Sequence, residues 1–326
     1  MSAGLHHAKS SRGWWTIILR WLAALAVLGV LLHFLPFDRL REAVARVPLT
    51  RFLVILIGYL LAHSLGILKW RMVVNAAGAK LDYSTSAQCY AGGLFATLFL
   101  PSIIGGDVVR LAVGLRRSPN PAAVLGGNVA DRFLDMLAQA GMVLLGLLLL
   151  PGSLPVELQV QGRKILLVIA ATAAVLLPLI FLLAKLVLRG RSMRFRRRLA
   201  RLRHSLRAVS RRPHILFFGW MMGTAIQTSF LVLTALLAIS CGLFLPLRIW
   251  LFGWPLAKLA ALLPLTQGGI GVREAALVAL LSPFGAPAAL VLASGLVWEG
   301  VVLCGGLIAG AVSFLLRKNE RTVPSH

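Results

Sequence analysis

Long apolar runs separated by short polar interruptions dominate the chain. Full-length apolar segments fall at about 14–35, 51–73, 124–150, 164–187, 215–240 and 287–316. Each is close to or above the roughly 20 residues that a helix needs to cross a bilayer. Two further apolar regions, 84–118 and 247–283, are split by a Pro/Gly break into two shorter arms. The segment "FDRLREAVARVPL" has apolar residues at helical spacing and is expected to lie in the membrane interface. The pattern predicts an all-α polytopic membrane protein with six full spans plus two broken, re-entrant hairpins. The alternative makes each hairpin a pair of ordinary spans, because an arm of about seventeen residues nearly crosses at 1.5 Å per residue.

The two breaks repeat one pattern. "PSIIGGDVVR" and "PLTQGGIGVR" both read P-x-x-x-G-G-x-x-V-R, so Pro101, Gly105, Gly106, Val109 and Arg110 align with Pro264, Gly268, Gly269, Val272 and Arg273. Basic residues set the sides by the positive-inside rule. Lys9 and Arg12 place the N-terminus inside, and Arg317, Lys318 and Arg321 place the C-terminus inside. Each half then reads span, span, broken hairpin, with one half upside down relative to the other. Inverted repeats with interrupted helices are a transporter signature, with the binding site where the breaks meet. The expected organisation is one membrane unit, 1–326, with a first repeat at 14–150, a second at 164–316 and an Arg-rich cytoplasmic linker at 189–213.

Composition agrees. Of 326 residues, 59% are hydrophobic, against about 45–50% in soluble domains. The first run is too long for a signal peptide and lacks a small-residue cleavage site, so it reads as a retained span. The net charge of +24 does not indicate nucleic acid, because eleven arginines concentrate between Arg189 and Arg212, in a loop joining two spans. They read as a topogenic signal that also attracts anionic headgroups.

The chemistry centres on the breaks. Proline stops one arm, and the glycines open the next, where free N–H groups and a helix N-terminus suit a phosphate or carboxylate. Gly105, Gly106, Gly268 and Gly269 are therefore candidate substrate-binding positions. Arg110 and Arg273 add bidentate donors, and Asp107 and Glu274 orient the arginines or contact an amine. The structural alternative is internal: Asp107 and Arg110 pair on one helix face, and the glycines serve tight packing. In "DRFLD", Asp131, Arg132 and Asp135 share a flank, as a salt bridge or as counter-ions, with Asp107 as a further partner for Arg132. Glu299 sits mid-span with no local basic partner; Arg273 or Arg110 is its expected counter-ion, and proton coupling its candidate role. Lys69 and Arg71, flanking Trp70, read as an interfacial anchor or as a headgroup entrance. Trp14, Trp15, Trp250 and Trp254 read as interface belts, and His63 as a packed polar residue or a functional one. Cys89, Cys241 and Cys304 have no metal-ligand spacing. No Walker motif, G-x-S-x-G or H-E-x-x-H occurs, and "GGIGVRE" lacks dinucleotide spacing, so neither enzyme nor cofactor nor metal is expected.

Four stretches, "KWR" at 69–71, "LPSIIGGDVVR" at 100–110, "DRFLD" at 131–135 and "GGIGVREAAL" with "SPFG" within 268–285, resemble the flippase-like family called the lysylphosphatidylglycerol synthase transmembrane domain. The resemblance covers nearly the whole chain. It implies a bacterial or archaeal inner-membrane protein that moves a lipid between leaflets. The implied partners are a phospholipid, a polyprenyl-linked lipid or a hopanoid, with a separate lipid-modifying enzyme as a further candidate. Longer members carry a soluble aminoacyl-transferase domain. This chain stops at His326, so that activity is not carried over. Two other readings stay open: a lipid-binding scaffold of a glycolipid or hopanoid pathway, and a membrane-embedded lipid transferase.

Overall fold

The computed structural model describes residues 37–100, 102–149, 193–261, 266 and 270–322, with side chains described over 41–100, 105–149, 199–261, 266 and 270–317. The expected spans at 14–35 and 164–187, with Trp14, Trp15, Pro101, Pro264, Gly268 and Gly269, lie outside the described residues.

All described secondary structure is helical: α1 (Phe37–Ala45), α2 (Leu49–Ala76), α3 (Tyr83–Ala96), α4 (Ser102–Arg117), α5 (Pro121–Leu149), α6 (Met193–Ser210), α7 (Pro213–Ser240), α8 (Leu247–Ala260), α9 (Val272–Leu281) and α10 (Ala288–Thr322), with a 3-10 turn at Ser282–Phe284. Among the described residues, four helices are long and apolar enough to cross a membrane: Leu49–Ala76, Pro121–Leu149, Pro213–Ser240 and Ala288–Arg317. Val54, Leu61, Phe133, Leu148, Phe218 and Phe314 stand exposed on them. Such broad outward apolar faces belong against lipid tails rather than water.

Local chemistry sets the helix limits. α2 ends in a tight turn that Asn75 clamps, its amide exchanging two 2.8 Å bonds with the Leu81 backbone. Arg71 donates to the same Leu81 carbonyl at 3.2 Å. Asp82 caps α3 by accepting the Thr85 N–H. Proline opens both α5 and α7, where its missing N–H costs nothing.

The two split regions each form two short helices, α3 with α4 and α8 with α9. At 14 residues, α3 and α8 are each about 21 Å long at 1.5 Å per residue, short of a hydrocarbon core of about 30 Å. Packing pairs exchange between the halves. α2 and α7 pack on each other; α3 packs on α10, and α8 packs on α5. Likewise α4 meets α5, and α9 meets α10.

The Arg-rich stretch is not a loop where it is described: residues 193–210 are the helix α6. Its apolar residues alternate with arginines at helical period, so one flank seats on α5 while Arg201, Arg203 and Arg207 stay outward. Ser205 and Val209 are buried, and Ser205 faces Gly126 of α5.

Candidate functional site

Arg110 and Arg273, which close the two motif copies, line neighbouring parts of one interior. On α2, Tyr59, His63, Gly66 and Lys69 recur at three- and four-residue spacing and form one inward stripe. α5 repeats the device with Asp131, Asp135 and Gln139, and α8 with Trp254 and Lys258, followed by Ala261 just past its end. Two cavities result. The first, about 150 Å³, is walled by α2, α3, α4, α5 and α7, with Lys258 of α8. The second, about 170 Å³, is walled by α2, α3, α7, α8 and α10, with Ile270 and Arg273. His63, Leu94, Thr97, Phe230 and Lys258 line both.

The first cavity holds a six-member ion-pair network. Lys69 Nζ lies 2.9 Å from Asp131 Oδ1 and 2.6 Å from Asp135 Oδ1. Arg132 reaches Asp135 at 3.4 Å and also pairs with Asp107. Arg110 pairs with the same Asp107 carboxylate, three residues earlier on α4. The network thus joins α2, α4 and α5 with three cations and three carboxylates. The Arg110 guanidinium lies 4.8 Å from the Tyr90 ring centre, which favours a cation electrostatically.

The second cavity is built around Arg273. This residue lies 2.6 Å from Glu274 and 2.8 Å from Glu299 of α10. Glu274 is fully buried, and its other oxygen accepts the Gly271 N–H at 2.7 Å, capping α9. Gly271 sits at φ 82°, a conformation that favours glycine. The Arg273 guanidinium lies 5.7 Å from the Trp254 ring. Trp254 is the eighth residue of α8, as Tyr90 is of α3.

Several expectations meet a different geometry. Gly105 and Gly106 lie inside α4, which starts at Ser102, not at its opening turn. Their small size is what the fold uses: a Cβ on Gly106 would strike Thr97 and the Gly93 carbonyl, so α3 and α4 approach backbone to backbone. Lys69 is not an exposed entrance residue; it is 2% exposed and held by two carboxylates. Arg71, beside it, binds the turn after α2. Trp250 and Trp254 are buried rather than interfacial, because α8 packs into α5 and the core. His63 borders both cavities, with Nδ1 3.3 Å from the Tyr90 hydroxyl. Among the described residues no cluster of His, Cys, Asp and Glu has metal-site geometry.

Sequence reasoning passed over Lys258 and Gln227. A single lysine in "WPLAKLAALLP" reads as a solvated residue at the end of an apolar arm. Its position four residues after Trp254 was the available signal, since both then face the same way.

No curated protein and no solved structure matches the chain. A family model does, over residues 17–310, and it is the lysylphosphatidylglycerol synthase TM region. The match takes in both motif-bearing regions, three of the four long apolar helices and most of the fourth, so the chain belongs to that family of multi-pass integral membrane proteins.

Proposed function

We propose that the protein is a flippase-like transporter. It moves an anionic or zwitterionic lipid, such as a phospholipid, glycolipid or polyprenyl-phosphate lipid, between leaflets of a bacterial or archaeal cytoplasmic membrane. One observation carries the reading: two charged cavities, one beside each motif arginine, adjoin through five shared residues. The headgroup would pass from one to the other within the protein while its chains stay in lipid. The exchange of packing partners between the halves supports a pseudo-twofold inverted repeat, N-in and C-in, with α3–α4 and α8–α9 as re-entrant hairpins.

In this reading Arg110, Arg132 and Arg273 offer donors to headgroup oxygens. Among the described residues, the Nε–H groups of Arg132 and Arg273 and the Trp254 indole N–H are buried without a hydrogen-bond partner. A buried unmade bond costs about 1–3 kcal/mol, and a phosphate would supply the missing acceptors. Asp107 and Glu274 hold the arginines in place, and Glu299 is the carboxylate assigned to proton coupling. Gly105 and Gly106 contribute close approach of the helices. Gly268 and Gly269 are assigned to the opposite break from sequence alone.

The test is reconstitution into liposomes of phosphatidylethanolamine and phosphatidylglycerol carrying a fluorescent phosphatidylglycerol, with dithionite reporting leaflet position. The wild type is expected to move the probe faster than empty liposomes, and Arg273→Ala to abolish transfer while still accumulating. Transfer by the wild type equal to empty liposomes would overturn the reading. Saturable lipid binding with no transfer would favour the scaffold, and a chemically altered lipid the transferase.

A further inference from the structure

Among the described residues, every cation lining the two cavities is neutralised by an adjacent carboxylate except one. Lys69, Arg110, Arg132 and Arg273 each lie in an ion pair. Lys258 makes none among the described residues. Its Nζ donates to Gln227 Oε1 at 2.7 Å and lies 5.2 Å from the Phe230 ring centre. An ammonium carries three donors, so that arrangement leaves it under-used. Gln227 spends its oxygen on the lysine, and its amide nitrogen makes no bond among the described residues. His63, which also borders both cavities, adds a ring nitrogen nearby.

Position makes the loose charge informative. Lys258 stands in the wall common to the two cavities, and it feels the charges of Asp135, Arg132, Lys69 and Arg273 from both. Without it, the two clusters hold four cations against five carboxylates, an unfavourable place for a phosphate. A purely structural lysine would have been drawn to one of those carboxylates, because an unpaired charge is expensive to bury. A lysine kept from them by a neutral amide is available to an anion from outside.

We infer that Lys258, positioned by Gln227, binds the phosphate of the ligand at the junction of the two cavities. This rests on the lipid-handling reading of the same cavities and names its anionic contact. The chemistry recognised is a phosphate ester, from a lipid headgroup or from a soluble metabolite, and the experiment separates the two.

The full chain, purified in detergent, is titrated calorimetrically with three probes. These are dihexanoyl phosphatidylglycerol, dihexanoylglycerol (no phosphate) and glycerol 3-phosphate (no chains). Lys258→Gln is expected to weaken the phosphatidylglycerol probe about tenfold or more and Lys258→Arg less than about threefold, the scale of one charge-assisted hydrogen bond. Dihexanoylglycerol binding should not change. Gln227→Glu keeps the lysine but gives it an internal counter-ion, so it should mimic Lys258→Gln; it carries the test if that variant does not fold. Unchanged phosphatidylglycerol affinity in folded Lys258→Gln overturns the inference. Glycerol 3-phosphate binding as tightly as the lipid probe overturns the lipid source. The fluorescent-lipid transfer assay run alongside separates the two ideas: wild-type transfer that survives Lys258→Gln sinks this inference alone. Absent wild-type transfer with lysine-dependent binding sinks only transport.

Discussion

The same ten-residue pattern builds two unlike half-sites. In the first copy the helix already runs from Ser102, so Arg110 is well inside α4 and finds Asp107 three residues back on its own face. In the second, Ile270 stands at the position of Asp107, and Gly271 delays the helix until Val272. Arg273 then sits in the first turn. Its partners are the next residue, Glu274, and Glu299 from another helix. One arginine is held locally and shares its carboxylate with Arg132; the other is, among the described residues, the sole cation between the buried Glu274 and the partly buried Glu299. Both copies therefore place the arginine beside an aromatic ring from the preceding short helix, while the source of the counter-charge differs.

This asymmetry makes the arginines unequal, and the largest predicted effect follows from it. Arg273→Ala strips the only cation from Glu274 and Glu299 and should cost about 3–5 kcal/mol of unfolding free energy, the range for breaking a buried pair. Arg110→Ala leaves Asp107 with Arg132 and should cost clearly less. Thermal unfolding of both variants in detergent checks the ordering, and equal losses would break the contrast. Lys69→Met probes the first network where it is most dependent on one cation. It exposes Asp131 and Asp135 to mutual repulsion, and a loss of about 3 kcal/mol or more is expected by the same denaturation measurement.

Smaller effects separate the glycines. Gly106→Ala forces a Cβ against the Gly93 carbonyl, so α3 and α4 must part at a cost of about 1–3 kcal/mol. Gly141→Ala, with nothing within 4 Å of the added atom, should be neutral or stabilising and serves as the control. Gly271→Ala has no counterpart in the first half-site, where the helix is already under way. Its positive φ of 82° should cost an alanine there about 1–3 kcal/mol in the melting curve. Trp254→Leu removes the ring facing Arg273, with an expected loss of about 0.5–2 kcal/mol.

How far the chain could be read before folding depends on the range of the interaction concerned. The four long helices coincide with apolar runs, and the two split regions with paired short helices, because hydropathy and Pro/Gly interruptions act over neighbouring residues. The Asp107–Arg110 pair was readable for the same reason, being one helical turn apart. Glu299 was recognisable as needing a distant cation, and Arg273 was one of its two candidates. Lys69 was misread because Lys-Trp-Arg at a helix end resembles an interfacial anchor. Nothing local shows that Asp131 and Asp135 lie opposite it. Spacing puts Trp254 and Lys258 on one face of α8, but only the docking of α8 against α5 turns that face inward.

Residue order alone was enough to dictate an apolar helical chain, its punctuation and the repeated motif, since each is a sum over adjacent side chains. Which charges meet, whether a tryptophan faces lipid or arginine, and why one lysine remains without a carboxylate depend on how helices far apart in the chain come to rest side by side. A buried charge takes whichever opposite charge helix packing brings within about 4 Å, and sequence spacing does not encode that distance.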